Sequence, residues 1–417
     1  MSNEYAIAAD SSSAVTRNSG HGRPRVAFVV QRYGEEVNGG AETQCRVVAE
    51  RMSADWDIEV LTSRACDYIS RFENQYPEGC AQVNGIAVRR FNIDRLRSDD
   101  FTFRALNRKV LERASSRDEE KQWLLEIGPD CNGLYEYLLR ADLDLVVFFT
   151  YLYATTTQAL PLVRHKALLV PEAHDEPPIY ARPFDTFFEL PRALLCNTPE
   201  EESFLLRRSA GAISASVVAG VGVDPPMTIV DTELFRVRYN IGRNYILCVG
   251  RIQKEKGSNA LFEYYLALPS VLRERCPLVL VGKAAMKIPA SRYIRHVGFV
   301  SDAEKQSALA GATLVVAPSP FESLSLVLLE AWALGVPVLV NGQCEVLMQQ
   351  VRRANGGLWY GDAEEFREAV TLLTDPGQFG LRRALGENGR AYVTERGDWS
   401  VVLTRYREAL RAVQQGR

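Results

Sequence analysis

The sequence predicts an α/β protein built of two doubly wound, Rossmann-like domains. The first observation is the length of 417 residues, which exceeds one ordinary hydrophobic core and fits two domains. The second is the alternation of short β-branched or apolar runs with amphipathic segments, which is typical of parallel sheets joined by right-handed helical crossovers. Folds of this class bind ligands at the carboxyl ends of their strands.

The first domain is predicted over residues 25–230. Residues 1–24 precede it as a tail rich in Ser, Ala, Asn and Gly without periodicity, which we expect to be mobile. A helix is predicted to start near Ala41. The strands predicted in this domain are RVAFVVQ, DIEVLTS, IAVRRFN, LDLVVFFT, ALLVPEAH and ALLCNTP.

The second domain is predicted over residues 231–399, with the boundary expected between 224 and 243, where periodic apolar positions are few. Its predicted strands are NYILCVGR, PLVLVGK, HVGFVS, ATLVVAPS, PVLV and GLWY, each followed by a helix-compatible segment. The last stretch, DWSVVLTRYREALRAV, has apolar residues at helical spacing. We therefore expect a closing helix over residues 400–417.

The composition argues against several classes of protein. Hydrophobic residues at 47% and charged residues at 24% are typical of a globular chain. A formal net charge of -3 gives no global electrostatic case for binding nucleic acid. No apolar run reaches the roughly 18 to 20 residues that span a bilayer, and the first residues lack signal-peptide features, so we expect a cytoplasmic protein. The eight cysteines and four histidines form no C-x-x-C or H-E-x-x-H pattern, so we expect no metal site.

The most informative segment is PSPFESLSLVLLEAWALGVPVLV, in which Glu322 precedes a predicted helix and Glu330 lies inside it. A single Glu on a helix is usually a solvated side chain. Here the neighbours of Glu330 are apolar, and a carboxylate in such surroundings needs a partner. The order of strand, Pro-containing loop, acidic residue and helix also presents free amide groups at a helix N-terminus. Such an end stabilises phosphate or an oxygen-rich sugar.

The second motif is GRIQKEKG, which follows the predicted strand YILCV and presents Arg251 and Lys256. Considered alone, Arg251 and Lys256 are equally consistent with two solvated basic side chains and with a pair that binds phosphate, a phosphate clamp. Together with the two glutamates, the clamp is favoured.

Two weaker signals lie in the first domain. In the loop YGEEVNGGAETQ, Gly39 and Gly40 come just before a predicted helix and would allow a ligand close to the backbone. A Gly pair is more often a turn, and no G-x-G-x-x-G is present. His174 ends the run ALLVPEAH. Most single histidines are structural, but the end of a strand that faces a cleft favours a functional role.

Taken in their order along the chain, these motifs resemble those of glycosyltransferase family 4, a large retaining family with the GT-B fold. The resemblance spans nearly the whole chain after residue 24. Gly39 and Gly40 match its Gly-Gly loop, and His174 matches its strand-ending histidine. The segment 250–257 matches G-R-x(4)-K-G, and Glu322 with Glu330 matches Glu-x(7)-Glu. The resemblance implies two Rossmann-like domains facing a central cleft, with a C-terminal helix that packs back toward the N-terminal domain.

The resemblance also implies a function. A sugar would pass with retained configuration from a nucleotide diphosphate sugar to a hydroxyl of a glycan, glycolipid or small metabolite, without a metal or other cofactor. Arg251 and Lys256 would hold the diphosphate, Glu330 the ribose and Glu322 the transferred sugar. His174 would bind the sugar or stabilise charge near its anomeric carbon. Other donor contacts are expected at Gly39, Gly40, Gly250, Val297, Phe299, Ser323, Leu324, Ser325 and Leu326, and acceptor contacts at Asp175 and Glu176.

One feature departs from the family pattern, and one further motif must be distinguished from a metal site. Ser323 and Ser325 stand where many relatives have Gly, so their side chains should narrow the donor pocket. The tripeptide Asp142-Leu143-Asp144 matches the Asp-x-Asp metal pattern of other glycosyltransferases. Because it starts a predicted strand, we interpret it as unrelated to metal binding.

Alternatives remain open. A nucleotide-sugar 2-epimerase has the same architecture, and an inactive transferase-like binding protein would keep the fold without turnover. The segment 89–121 interleaves basic and aromatic residues and could contact an anionic membrane, placing the protein at the inner face of the membrane. Its nearby acids favour the other interpretation, a solvated helix with compensated charge.

Overall fold

A computed structural model describes residues 23–37, 39–67, 72–98, 100–224 and 230–416. The mobile tail predicted over 1–24 therefore lies outside the described residues, apart from its last two positions. Within the described chain, two parallel-stranded sheets form the centres of two α/β domains.

The first sheet has, among the described residues, eight strands in the order β3-β4-β2-β1-β5-β6-β7-β8. The β3–β4 pair is antiparallel and the other pairs are parallel. The strands are β1 (Arg25–Val29), β2 (Asp57–Ser63), β3 (Gly79–Val83), β4 (Ile86–Phe91), β5 (Leu145–Phe149), β6 (Ala167–Val170), β7 (Ala193–Cys196) and β8 (Ser216–Val218). The α-helices of this domain are α1 (Gly40–Met52), α2 (Asp100–Leu111), α3 (Arg117–Ile127), α4 (Asn132–Arg140), α5 (Ala154–Thr157) and α6 (Pro199–Arg208).

The central strands of this sheet are buried on both faces. In β5, Val146 and Phe148 join the core on one side, while Val147 and Phe149 join the core on the other. Side chains alternate across a strand, so a run that is apolar at every position is covered on both sides. The continuous apolar run LVVFF therefore specifies a central strand.

The second sheet is parallel throughout, with the order β11-β10-β9-β12-β13-β14 among the described residues. Its strands are β9 (Ile246–Val249), β10 (Leu278–Val281), β11 (Ile294–Gly298), β12 (Leu314–Ala317), β13 (Val338–Asn341) and β14 (Gly357–Tyr360). The helices of this half are α7 (Thr232–Tyr239), α8 (Ser258–Ala267), α9 (Ser270–Arg275), α10 (Asp302–Ala310), α11 (Leu326–Ala333), α12 (Glu345–Ala354), α13 (Ala363–Thr374) and α14 (Phe379–Arg396), with α15 (Trp399–Gln414) after them.

Helix α15 leaves the second domain and packs on the first. Its buried residues Val402, Tyr406 and Leu410 belong to the same core as Val26 and Phe28 of β1. The Tyr406 hydroxyl accepts a hydrogen bond from Gln44 Nε2 of α1 at 3.1 Å. The amphipathic stretch at the end of the chain thus completes the core on one face of the first sheet.

Every strand predicted from the sequence is present, but β3 and the three-residue edge strand β8 were not predicted. Strand β3 forms a hairpin with β4 through Asn84 and Gly85, whose φ angles of 49° and 79° are both positive. Asn-Gly between two short strands is a strong signal for such a two-residue turn. The signal is present in QVNGIAV, but the alternation of strands and helices predicts parallel strands only, and β3 is antiparallel to β4.

The basic segment at 89–121 is largely compensated within the protein. Arg89 Nε pairs with Glu59 at 2.9 Å, buried Arg90 donates to the Tyr33 carbonyl, and Arg113 Nη2 pairs with Asp185 at 2.8 Å. These contacts agree with the interpretation of compensated charge. Phe101 is nevertheless 84% exposed. No described helix combines the length and the apolar character needed to cross a membrane.

Because α15 completes the core of the N-terminal domain, truncating one of its buried side chains should destabilise strands far away in sequence. We expect Leu410→Ala to lower the free energy of unfolding by about 2–5 kcal/mol, as buried Leu truncations do. Urea denaturation measures the loss, and hydrogen exchange should locate it in β1 and β5. Glu408→Ala, exposed on the same helix, is the control and should change stability by less than about 0.5 kcal/mol. Equal effects of the two changes would contradict this packing.

Candidate active site in the cleft

A cavity of about 280 Å³ lies between the two domains and is lined by both. On the N-terminal side its lining residues follow the carboxyl ends of β1, β5, β6 and β7: they include Gln31, Thr150, Glu172, His174 and Asn197. On the C-terminal side they follow β9 and β12 and include Arg251, Lys256, Phe321 and Glu322. Parallel strands end at the same edge of their sheet, so each domain presents one row of loops to the cavity.

The loops after β9 and β12 meet at the Lys256–Glu322 ion pair, whose Nζ–Oε1 distance is 2.7 Å. Their close approach requires glycine at position 257. Gly257 has φ 74°, and a Cβ there would lie 2.1 Å from the carbonyl oxygen of Pro318. The glycine of GRIQKEKG thus allows the loop bearing Lys256 to sit directly against the loop bearing Glu322.

The N-terminus of α11 also opens onto the cavity. Ser323, Leu324 and Leu326 line it, and Arg251 approaches from the loop after β9. Within the described structure, the side chain of the preceding residue, Ser325, makes no capping hydrogen bond to the first amides of the helix. Unfilled amides and a positive helix end beside two cations form an environment that favours a negatively charged ligand.

On the opposite wall, His174 is held by a carboxylate. Its Nδ1 lies 3.0 Å from Glu176 Oε1, which also accepts from the Tyr151 hydroxyl at 2.9 Å. Although burial by itself raises the pKa of Glu176, the contacts with His174 and Tyr151 lower it overall. The His174 ring also faces the Phe321 ring edge-on across the cleft, with centroids 6.3 Å apart. His174 is therefore oriented at the junction of the two domains.

Two buried glutamates that sequence reasoning missed support this wall. Glu42 of α1 accepts from Gln31 Nε2 at 2.8 Å and pairs with Arg32. Glu201 of α6 accepts from the backbone N–H of Ala173 at 2.6 Å and of Asn197 at 2.5 Å. Burial raises the pKa of Glu201 to about 8, although these backbone N–H groups act to lower it. Glu201 thus ties together the loops that follow β6 and β7, including the residue before His174.

A third glutamate that was not predicted, Glu172, lines the cavity directly. Its backbone φ of 50° lies in the left-handed region, which is unusual for a residue with a side chain. Its Oε1 is buried and has no hydrogen-bond partner among the described residues. Burial, and then the neighbouring Glu42 and Glu201, raise the pKa of Glu172 well above its ordinary value.

The structure brings most of the predicted site residues to one cavity. Those that line it are Gly39, Gly40, His174, Glu176, Arg251, Lys256, Glu322, Ser323, Leu324 and Leu326. Those that do not line it are Asp175, Gly250, Val297, Phe299, Ser325 and Glu330. Of this second group, Asp175 is exposed and accepts from the Tyr180 hydroxyl.

Three of the remaining predicted donor residues, Gly250, Val297 and Phe299, lie along the same edge of the second sheet. Gly250 follows β9, and Val297 and Phe299 lie at the end of β11, two strands away. Phe299 is 59% exposed, and Glu330 Oε1 pairs with Lys305 Nζ at 2.9 Å. Gly250, Val297 and Phe299 therefore continue from the cavity along the carboxyl ends of the strands, whereas Glu330 lies inside α11.

The Asp142-Leu143-Asp144 tripeptide lies at the opposite edge of the first sheet. Asp144 Oδ2 accepts from the backbone N–H of Arg25 at 2.7 Å, at the amino end of β1. In the part of the chain that the structure describes, no group of three or more His, Cys, Asp or Glu side chains is arranged to hold a metal ion.

Comparison with known proteins adds a family match for the second domain. Residues 231–392 match the family model described as Glycosyl transferases group 1. The chain is also 29% identical over 181 residues to an uncharacterized glycosyltransferase of Methanocaldococcus jannaschii. That match covers 40% of this chain and 45% of the relative, so the chain spans less than half of the relative's length.

Solved structures resemble the whole chain. Sucrose-phosphate synthase of Thermosynechococcus elongatus superposes with a TM-score of 0.69 at 18% identity, covering 95% of this chain and 100% of that one. The Anabaena protein HepE, in complex with UDP and glucose, gives a TM-score of 0.67 at 16% identity, covering 93% and 100%. At such identities the likeness concerns the fold, and it confirms the predicted GT-B fold.

The role of Glu201 in joining the loops that follow β6 and β7 can be tested by removing its carboxylate. We expect Glu201→Ala to destabilise the protein by about 2–4 kcal/mol, because two buried backbone N–H groups lose their acceptor. The exposed neighbour Ser203 on the same helix provides the control, and Ser203→Ala should leave the urea midpoint nearly unchanged. If Glu201→Ala changed the urea midpoint as little as Ser203→Ala, the loops would not depend on the Glu201 carboxylate.

Proposed function

We propose that this chain is a retaining glycosyltransferase of family 4 that moves a sugar from a nucleotide diphosphate sugar to a hydroxyl acceptor. The proposal rests on one observation: the two domains present chemically different walls to the same cavity. Arg251, Lys256 and the open N-terminus of α11 face His174 across one cavity. The family match over residues 231–392 and the UDP bound to HepE support a nucleotide donor on the C-terminal side.

The donor would lie along the carboxyl edge of the second sheet. Its diphosphate would sit in the cavity against Arg251, Lys256 and the α11 amides, where charge-assisted hydrogen bonds are strong. Its nucleoside would extend toward Phe299, with the ribose near Glu330. Since Lys256 and Glu322 are paired in the structure described here, the donor phosphate would share Lys256 and leave Glu322 to the sugar hydroxyls.

The chemical step needs stabilisation of the departing diphosphate. As the bond between the anomeric carbon and the phosphate oxygen breaks, negative charge grows on that oxygen, where fixed cations and helix amides lower its energy. The acceptor hydroxyl then bonds to the anomeric carbon on the same face and gives its proton to the leaving phosphate. His174, held by Glu176, would stabilise the sugar during this step. In this mechanism no metal and no protein nucleophile is required.

The two walls belong to different domains, so closure of the cleft would complete the site. Thr198 Oγ1 already donates to the Ser323 carbonyl at 3.2 Å, and Arg353 Nη2 pairs with Glu200 Oε2 at 3.0 Å across the domains. Closure excludes water and would limit hydrolysis of the donor. A cytoplasmic location remains part of this proposal, whereas the internal pairing of Arg89 and Arg113 favours a solvated segment 89–121 over a contact with membrane.

The donor site is tested by thermal stability against a panel of UDP-, GDP-, ADP- and dTDP-sugars. At about 100 times its dissociation constant, one donor should stabilise the protein by about 2.7 kcal/mol, with or without EDTA. We expect Lys256→Ala to weaken that donor at least tenfold, about 1.4 kcal/mol, because the diphosphate loses its ammonium partner. Lys254→Ala removes an equal charge two residues away on the exposed side of the loop and should change nothing.

Two results would count against the donor site. Equal losses of donor affinity in the Lys254 and Lys256 variants would mean that the donor responds to the overall positive charge of the loop rather than to a contact with Lys256. The absence of stabilisation by any nucleotide sugar would favour an inactive binding protein instead.

The transfer step is tested with the donor and acceptor found active. We expect the product to keep the anomeric configuration of the donor, which proton NMR of the anomeric signal measures directly. We also expect His174→Ala to lower kcat by about 10²-fold or more while the donor still stabilises the protein. Product of inverted configuration would refute the mechanism, and full turnover by His174→Ala would remove the role of His174. Interconversion of nucleotide sugars without acceptor would identify an epimerase.

A further inference from the structure

We propose that the N-terminal wall of the cleft selects an uncharged, hydroxyl-bearing acceptor rather than a phosphorylated one, and that Glu172 binds its hydroxyls. This inference rests on the proposed glycosyltransferase function. It concerns the second substrate, whereas the cations of the C-terminal wall concern the donor.

The first argument is the distribution of charge between the two walls. The described residues that line the cavity from the N-terminal domain include Glu42, Glu172 and Glu176 but neither Lys nor Arg. Arg32 lies behind this wall, 2% exposed, and is paired with Glu42. Arg251 and Lys256 both come from the opposite wall. An acceptor phosphate on the N-terminal side would therefore find no Lys or Arg on its own wall, and Lys256 of the opposite wall would already be engaged by the donor diphosphate.

The second argument is the geometry of Glu172. It stands between the end of β6 and His174, with its Oε1 buried and without a partner in the described chain. Most buried polar atoms are hydrogen-bonded, so an atom left unpaired in a cleft marks a position where a ligand can supply the bond. The left-handed backbone at this residue, φ 50°, is a further departure of the kind found at functional sites.

The third argument concerns the chemistry of that carboxyl group. Burial and the neighbouring Glu42 and Glu201 raise the pKa of Glu172, whereas Lys256 acts in the opposite direction. A carboxyl oxygen accepts hydrogen bonds in either protonation state, and sugar hydroxyls donate them, so the unpaired Oε1 can bind an acceptor hydroxyl.

The wall also offers surface to a sugar ring. Leu152 and Tyr153 follow β5, line the same cavity and are partly exposed, while Tyr151 beside them is buried. Aromatic side chains combine apolar area with polar edges, which suits a polyhydroxylated ring with apolar faces. Hydroxyl binding at Glu172 and apolar contact after β5 together describe a neutral sugar or cyclitol acceptor.

The test uses the full chain with the donor identified by thermal stabilisation. Release of the nucleoside diphosphate is measured with methyl glucoside, methyl mannoside and myo-inositol, and with glucose 6-phosphate, mannose 6-phosphate and inositol 3-phosphate. We expect the best neutral acceptor to exceed every phosphorylated one by at least 100-fold in kcat/KM. A phosphorylated acceptor that equals or exceeds the neutral ones would overturn the inference.

Two variants test the role of Glu172 itself. Glu172→Gln keeps a donor and an acceptor and should change the acceptor KM by less than about threefold, a factor within the usual spread of neutral hydrogen-bond replacements. Glu172→Gly removes the side chain and suits the positive φ, so it should fold while raising the acceptor KM at least tenfold. Stabilisation by the donor should be unchanged in both. Glu35→Gln, exposed on the same domain, is the control.

The outcomes separate the two proposals. If Glu172→Gly leaves the acceptor KM unchanged, Glu172 does not bind the acceptor, although the transferase function stands. If the donor stabilises the protein but only phosphorylated acceptors react, the function stands and the acceptor class is wrong. If no nucleotide sugar binds and no acceptor triggers release of nucleotide, both proposals fail.

Discussion

The site depends on one geometric constraint, the common direction of the parallel strands in both sheets. Strands β1, β5, β6 and β7 end at one edge, and β9 and β12 end at the facing edge. Each of these strands is followed by a crossover connection, so the topology of the sheet alone places loop residues that are far apart in sequence side by side. Lys256 and Glu322 illustrate this, since 66 residues separate two side chains that form an ion pair.

Parallel direction alone would leave the loops mobile, and buried carboxylates restrict them. Glu201 joins the loops after β6 and β7 through backbone N–H groups, and Glu42 joins α1 to the end of β1 through Gln31. Burying a carboxyl group is costly unless its oxygens are hydrogen-bonded, and these two have their bonds. Glu172 lies among them with one oxygen unpaired. Its neighbours keep the surroundings acidic, which is why the N-terminal wall differs in charge from the wall bearing Arg251.

The fold was predictable from local pattern because apolar strand-like runs such as LVVFF of β5 alternate with helix-compatible segments along both halves of the chain. The hairpin strand β3 required a different signal, the Asn84-Gly85 turn, which a search for parallel units passes over. The motif residues at the cleft were predictable because they follow strand ends. Glu172 was not, since its electrostatic surroundings include Glu42 on α1 and Glu201 on α6, and no local spacing in VPEAHDE encodes those neighbours.

The asymmetry of the cleft also bears on the order of events. Lys256 interacts with residues of both walls. It pairs with Glu322 of its own domain and acts to lower the pKa of Glu172 on the opposite wall. A donor diphosphate that engages Lys256 would screen this cation from the opposite wall. The pKa of Glu172 would then no longer be lowered by Lys256, so the wall around Glu172 would present less negative charge to an acceptor hydroxyl. Donor binding would in this way prepare the N-terminal wall for a neutral acceptor, coupling the two substrates through a single lysine rather than through a change of fold.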